Sequence, residues 1–258
     1  MAGGGRYLAM VLALASATSL AGCQKTSASL DSAAMSTAST GPASYEATAA
    51  LGTKWENNPA DVNTGMAYAN ALGSIGQTQK QLDVYRKLAA ANPGNPKIAG
   101  LYGKKLITAG MSREAIPVLE TAAADPGADW RIRSALGTAY DQQGLYARAR
   151  GEYQTILSAD PANLTVLNNM GMSFALEGNL KQAEATLRKA DVLPRSKSEP
   201  RIRQNLALVV GLQGRFDEAS TLASQDLPQE QVKANMAYLQ KMLSQPNTWQ
   251  QLSDSSEG

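Results

Sequence analysis

The sequence predicts an all-α fold in which about five helical hairpins stack into a right-handed superhelical solenoid with capping helices. Three observations carry that reading. Gly76, Gly110, Gly144, Gly178 and Gly214 recur at intervals of 34, 34, 34 and 36 residues. Pro59, Pro93, Pro126, Pro161 and Pro194 keep nearly the same beat, at 34, 33, 35 and 33. Between these markers the apolar residues fall at helical spacing, and aromatics are only 5% of the chain, so packed helices rather than sheets account for the core.

Composition removes most catalytic chemistry. The 258 residues include 24 Lys and Arg, 22 Asp and Glu, one Cys and no His, for a net charge of +2. Without His there is no Ser-His-Asp triad, Cys-His dyad or HExxH zinc site. A single Cys makes neither an internal disulfide nor a thiolate zinc cluster. Near neutrality argues against a surface that neutralises nucleic-acid phosphates. No Gly-rich phosphate loop is present. Acidic pairs such as Asp217-Glu218 stand at helix starts, where they meet the positive end of the helix. The chain is therefore expected to be no enzyme, with no cofactor, metal or small-molecule substrate, and to take protein partners.

The elements follow in order. Residues 1–22 carry one charge, Arg6, and then an apolar run from Tyr7 to Leu20. That run is short for a membrane span and ends in small residues, as a secretory signal does. Residues 23–44 read as Cys23 and a flexible tether, since 24–44 hold six Ser, three Thr and five Ala. Residues 45–58, with Trp55, read as a helix capping the N-terminal end of a solenoid over 45–245. The hairpins are expected at about 62–95, 96–129, 130–163, 164–197 and 200–228.

Within each hairpin, a helix of roughly 14 residues ends at a Gly turn and a second such helix follows. Gly supplies the left-handed C-cap at low cost, and the Asp-Pro or Asn-Pro pair ends the second helix. Gly103, Gly137 and Gly171, with Ala115, Ala149 and Ala183, are small enough for the two helices to approach closely. The first hairpin departs from this, with Ala69 and Gln81 at those positions. Pro117 sits about five residues into a second helix and is expected to bend it. A capping helix over 229–244 presents Val232, Met236, Leu239 and Leu243 at spacings of 4, 3 and 4, and 246–258 reads as a disordered tail.

Three resemblances add to this reading. Leu20-Ala21-Gly22-Cys23 resembles a bacterial lipobox, which implies cleavage before Cys23 and its acylation. Gln24, not being Asp, implies outer-membrane rather than inner-membrane residence by analogy with Gram-negative lipoproteins, with the protein facing the periplasm. The repeat resembles the tetratricopeptide repeat: Leu136, Gly137, Tyr140, Tyr146, Ala149, Tyr153 and Pro161 stand where that family has them. Its concave groove is lined by set positions of the first helix of each hairpin. The resemblance places Lys97, Lys104, Arg131, Ser134, Thr138 and Asp141 there, a polar and basic half. It then places Asn168, Met172, Leu176, Arg201, Gln204, Leu208 and Leu212, a half that turns apolar. Met172, Leu176, Leu208 and Leu212 either receive a partner helix or pack against the capping helix. Asn169 and Asn205 hold clamp-like positions of the carboxylate-binding members, whose basic set is incomplete here.

The C-terminal stretch is narrower in its likeness. Asn205-Leu206-Ala207-Leu208, Gly211-Leu212-Gln213-Gly214, Glu218-Ala219, Asp226-Leu227-Pro228 and Asn235-Met236-Ala237-Tyr238-Leu239 resemble the TadD lipoproteins of tight-adherence (Flp) pilus systems. That resemblance implies a pilotin-like assembly factor for the pilus secretin. Two other classes remain open: a general envelope scaffold recruiting peptidoglycan enzymes or other envelope complexes, and an accessory or regulatory subunit of an enzyme.

Overall fold

The structure, a computed structural model, describes residues 45–244. The expected signal (1–22), Cys23 and its tether, and the tail (246–258) lie outside the described residues. Among the described residues there are twelve α-helices, one 3-10 helix and no strand. The chain divides into two compact units whose described parts are 45–91 and 92–244.

The first unit holds α1 (Tyr45–Glu56), α2 (Val62–Ser74) and α3 (Thr78–Ala91). Trp55 is buried, donates Nε1–H to the Pro59 carbonyl at 3.2 Å, and tilts against the Tyr68 ring. The two departures from the repeat pattern are compensated locally. Ala69 is fully buried, and the buried Gln81 donates its Nε2 to the Ala69 carbonyl at 2.7 Å. Gly73 makes the room, since a Cβ there would lie 2.3 Å from Gln81 Nε2.

The second unit is four hairpins and a cap: α4 (Pro96–Thr108) with α5 (Ser112–Ala123), α6 (Trp130–Gln142) with α7 (Tyr146–Ala159), α8 (Leu164–Glu177) with α9 (Leu180–Asp191), α10 (Pro200–Leu212) with α11 (Phe216–Ala223), and then α12 (Gln229–Leu243). Each helix packs on the next, and the first helices α4, α6, α8 and α10 also pack on one another in sequence. The helical-hairpin array expected from the 34-residue period is what the chain forms. The longer last interval is taken up by the 3-10 helix Pro194–Ser198.

The period has a backbone cause. Gly76, Gly110, Gly144, Gly178 and Gly214 all have positive φ, between 72° and 94°. After each, the next N–H reaches back to the helix it leaves: Gln77 to Leu72, Met111 to Leu106, Leu145 to Tyr140, Asn179 to Phe174 and Arg215 to Val210, at 2.8–3.2 Å. These bonds satisfy carbonyls that a helix end otherwise leaves open. The hairpins close tightly because a Cβ at Gly103, Gly137 or Gly171 would lie 2.4 Å from Leu119, 2.5 Å from Tyr153 or 2.7 Å from Leu187. α5 runs unbroken through Pro117. The cap buries Val232 and Leu239, the latter against Gly211, while Met236 and Leu243 are half-buried.

Candidate functional site

The face formed by the first helices of the second unit carries the residues expected to line a groove. The helices are oriented by side-chain caps. Asn95 accepts from Lys97 N at 3.1 Å, Asp129 from Arg131 N at 2.8 Å, and Asn163 from Val166 N at 3.2 Å. With Asp61 capping α2, these caps recur every 34 residues. They are a fourth periodic signal in the sequence.

The middle of this face is a hydrogen-bonded polar seam. Asp141 is buried at the end of α6, and accepts from Tyr153 OH on α7 at 2.9 Å and from Ser173 Oγ on α8 at 2.6 Å. Burial pushes its carboxyl up to about 6, against those two hydrogen bonds and the charge of Arg150, which favour ionisation. Tyr153 is held protonated well above its usual range, chiefly by burial and then by the Asp141 charge. Asn169 Nδ2 donates to Ser134 Oγ at 3.3 Å, joining α8 to α6, and Asn205 Nδ2 donates to Asn168 Oδ1 at 2.7 Å, joining α10 to α8. The clamp-like Asn169 and Asn205 thus serve as inter-repeat ties, and Ser134, Asp141 and Asn168 are buried beneath the surface they were expected to line.

Two ends flank this seam. On α4 and α6, Lys97 and Arg131 are exposed, and Arg131 pairs with Asp129 at 2.9 Å. Lys104 is half-buried, and its ammonium is held below the usual lysine range by burial, with the nearby Asp129 opposing and Arg131 reinforcing that effect. On α8 and α10, Thr138's neighbours in the row, Met172, Leu176, Gln204 and Leu208, are half-buried, and so is Thr138 itself; Arg201 is exposed. Leu212 is different. It is only 3% exposed and belongs to the protein's own interior, so its assignment to the groove surface is corrected. Met172 also packs partly against the core formed by Leu187, Leu206 and Val210.

Ion pairs stitch successive hairpins. Arg148 lies over the Tyr140 ring and pairs with Glu120 at 2.8 Å, and Arg150 pairs with Glu177 at 2.9 Å. Glu184 meets Arg188 and Arg215, which both also reach Glu218. Burial works against the Glu184 charge, but hydrogen bonds from Gln213, Arg188 and Arg215 hold its carboxyl below the usual range. Arg203 grips Asp226 with two donors, one at 2.8 Å, and this pair is the most enclosed, at 11% and 9% exposure.

Among the described residues no cluster of acidic, Cys or His side chains is placed to hold a metal, and no helix is long and apolar enough to cross a membrane. Two open hollows measure about 420 and 380 Å³ and are lined by the α10–α11 turn with Gln240, and by residues of α7, α8 and α9.

These features define a helical-hairpin repeat protein. Residues 103–163 and 134–200 match the tetratricopeptide repeat family model, and repeats of that kind mediate protein–protein interaction. Such scaffolds are typically non-enzymatic. No protein of curated function matches the chain.

Among solved structures, PilW, a widely conserved type IV pilus biogenesis factor, is 19% identical with a TM-score of 0.59, over 77% of this chain and 90% of its own. A tetratricopeptide repeat protein of Parabacteroides merdae is 14% identical with a TM-score of 0.58, over 76% and 77%. A thermophilic tetratricopeptide protein of Thermus thermophilus is 22% identical with a TM-score of 0.55, over 71% and 98%. At these identities the likeness is one of fold.

Proposed function

We propose that the chain is a protein-binding scaffold, anchored to the outer membrane by lipid on Cys23 and facing the periplasm, that assists assembly of a tight-adherence pilus secretin in the manner of a pilotin. The observation that carries the binding role is the partly exposed row on α4, α6, α8 and α10. Lys97, Lys104 and Arg131 give it a basic end, and Met172, Leu176 and Leu208 a half-buried apolar end. A partner segment with acidic residues ahead of an apolar helical face complements both. The lipobox-like Leu20-Ala21-Gly22-Cys23 supports the anchor. The TadD-like C-terminal stretch, together with the shared fold of the pilus factor PilW, supports the pilus role.

Photo-crosslinking from positions 104, 176 and 208 in intact membranes, followed by identification of the captured chain, tests the reading. A secretin or another pilus-assembly component at all three positions is expected. Capture of peptidoglycan enzymes instead would replace the pilus assignment with a general envelope scaffold.

A further inference from the structure

The connection between α9 and α10 departs from every other among the described residues. It is the one that adds a 3-10 helix, Pro194–Ser198, and its charge is unlike its surroundings. Between positions 188 and 203 lie six basic residues (Arg188, Lys189, Arg195, Lys197, Arg201, Arg203) and two acidic ones, Asp191 and Glu199. A quarter of the chain's 24 Lys and Arg therefore sit in one short segment. Two of the six are neutralised, Arg188 by Glu184 and Glu218 and Arg203 by Asp226. The other four, Lys189, Arg195, Lys197 and Arg201, are exposed and form no ion pair among the described residues. Beside them Val192 stands 79% exposed, the most exposed large apolar side chain described.

This knuckle is built rather than loose. Leu193 turns inward onto the core of Leu167, Ala190 and Ile202. Ser196 is buried, with its hydroxyl donating to the Asp191 carbonyl and its own carbonyl accepting from Arg203 at 3.4 Å. The enclosed Arg203–Asp226 pair then ties the turn to the end of α11. The inward packing of the half-buried Leu193 and the exposure of Val192 are consequences of one turn, which leaves the apolar tip and the neighbouring cations exposed together.

We propose that this knuckle docks on an anionic bilayer surface, with Val192 entering the headgroup layer and Lys189, Arg195, Lys197 and Arg201 meeting lipid phosphates. The chemistry favours a lipid surface over an acidic protein. Unpaired cations close in sequence to a single projecting aliphatic side chain suit a planar array of phosphates over hydrocarbon, and the hollow that Lys189 helps to line is bordered by none of Val192, Arg195, Lys197 and Arg201. Docking at this edge would restrict how a tethered protein turns on its membrane. The inference shares only Arg201 with the groove and does not require Cys23: lipid contact through Val192, Lys189, Arg195 and Lys197 stands or falls whatever partner the groove takes.

The test uses the full chain carrying Cys23→Ser, so that one thiol introduced by Val192→Cys takes an environment-sensitive dye; Gly151→Cys on α7, an exposed position in open space, is the control. Vesicles of phosphatidylcholine with one quarter phosphatidylglycerol are expected to shift the emission of the dye at 192 to the blue and leave the dye at 151 unchanged, while pure phosphatidylcholine shifts neither. Lys189→Glu with Arg195→Glu and Lys197→Glu is expected to lower partitioning reported at 192 by about two orders of magnitude, at roughly one fivefold step or more per basic residue lost. The thermal melt of that variant should be unchanged, since none of the three bears an ion pair. An unchanged dye at 192, an equal shift on neutral vesicles, or an equal shift at 151 overturns the proposal. A shift produced by poly-glutamate but not by vesicles also overturns it, and assigns the knuckle to an acidic protein.

Discussion

Gly137→Ala and Gly151→Ala make the same chemical change in one hairpin, and the structure assigns them opposite signs. A Cβ at Gly137 would lie 2.5 Å from Tyr153 Cε1 and 2.7 Å from Cζ, whereas a Cβ at Gly151 meets nothing within 4 Å. Ordinary contact begins near 3.4 Å, so the Tyr153 ring must retreat by nearly 1 Å. It is 1% exposed and its hydroxyl is bonded to Asp141 at 2.9 Å, which leaves it no free direction. Overpacking costs about 1–3 kcal/mol. Weakening the bond to the carboxylate adds up to about 1.5–3 kcal/mol. The intrinsic helix preference of Ala over Gly returns about 1 kcal/mol.

The net for Gly137→Ala is a loss of about 1.5–5 kcal/mol, or roughly 3–20 °C in melting temperature for a protein of this size. Gly151→Ala, with only the propensity gain, stabilises by about 0.5–1 kcal/mol. Urea and thermal melts followed by circular dichroism measure both, and hydrogen exchange should localise the Gly137→Ala effect to α6 and α7, as expected of a repeat protein. If the two substitutions change stability alike, the close approach of α6 to α7 at Gly137 is refuted.

Four further outcomes follow from particular contacts. Asp141 has its folded pKa raised from 3.8 to about 6, so its contribution to stability is complete below pH ~4 and is lost as pH rises toward and through 6. That loss is at most about 3 kcal/mol, and Asp141→Asn should remove this component from the pH dependence of urea melts; identical profiles for the two proteins would contradict it. Arg203→Met leaves the enclosed Asp226 carboxylate unpaired and is expected to destabilise by roughly 3 kcal/mol, with the charge-free double variant Arg203→Met/Asp226→Leu recovering much of the loss; a null effect of the single change would show the pair to be idle. Leu176→Asp with Leu208→Asp should weaken partner capture while helix content survives, since both side chains are only half-buried; intact capture of the secretin would clear this face of a binding role. Cys23→Ser should release the protein from outer-membrane fractions to the periplasm, and continued partitioning with the membrane would contradict the anchor.

The hairpins were legible because their cause is local. A Gly that must take positive φ at each turn, and a Gly or Ala where two helices nearly touch, leave marks at a fixed spacing that no packing detail can move. The caps Asp61, Asn95, Asp129 and Asn163 were equally local, and only the stronger Gly signal obscured them. Burial across hairpins was not legible. Leu212 falls on the groove register of α10 and yet is enclosed, because register counts positions along one helix and cannot say which neighbours close over them. The long links of the Glu184 cluster, Glu184–Arg215 and Arg188–Glu218, and the Arg203–Asp226 pair join residues 23 to 31 apart, a separation at which charge pattern alone selects no partner. Gln81 shows the same limit in reverse: a residue too large for its place is accommodated by Gly73, eight positions away in a different helix.

The position of the polar seam bears on how the groove would work. Asp141, Ser173, Asn168, Asn205, Ser134 and Asn169 are directional ties laid under the face between α6, α8 and α10. Apolar contacts alone tolerate sliding of one hairpin on the next, because they are non-directional. A hydrogen bond does not, since a small rotation leaves a buried polar group unpaired at a cost of about 1–3 kcal/mol. Polar groups beneath the face therefore fix the angles between hairpins and with them the spacing of the side chains above, so that a partner meets a surface already shaped. On that ground the ordering cost of binding falls on the partner segment rather than on the scaffold. Substitutions of the buried seam residues Ser134, Asp141, Asn168 and Ser173 should then alter binding through the shape of the face.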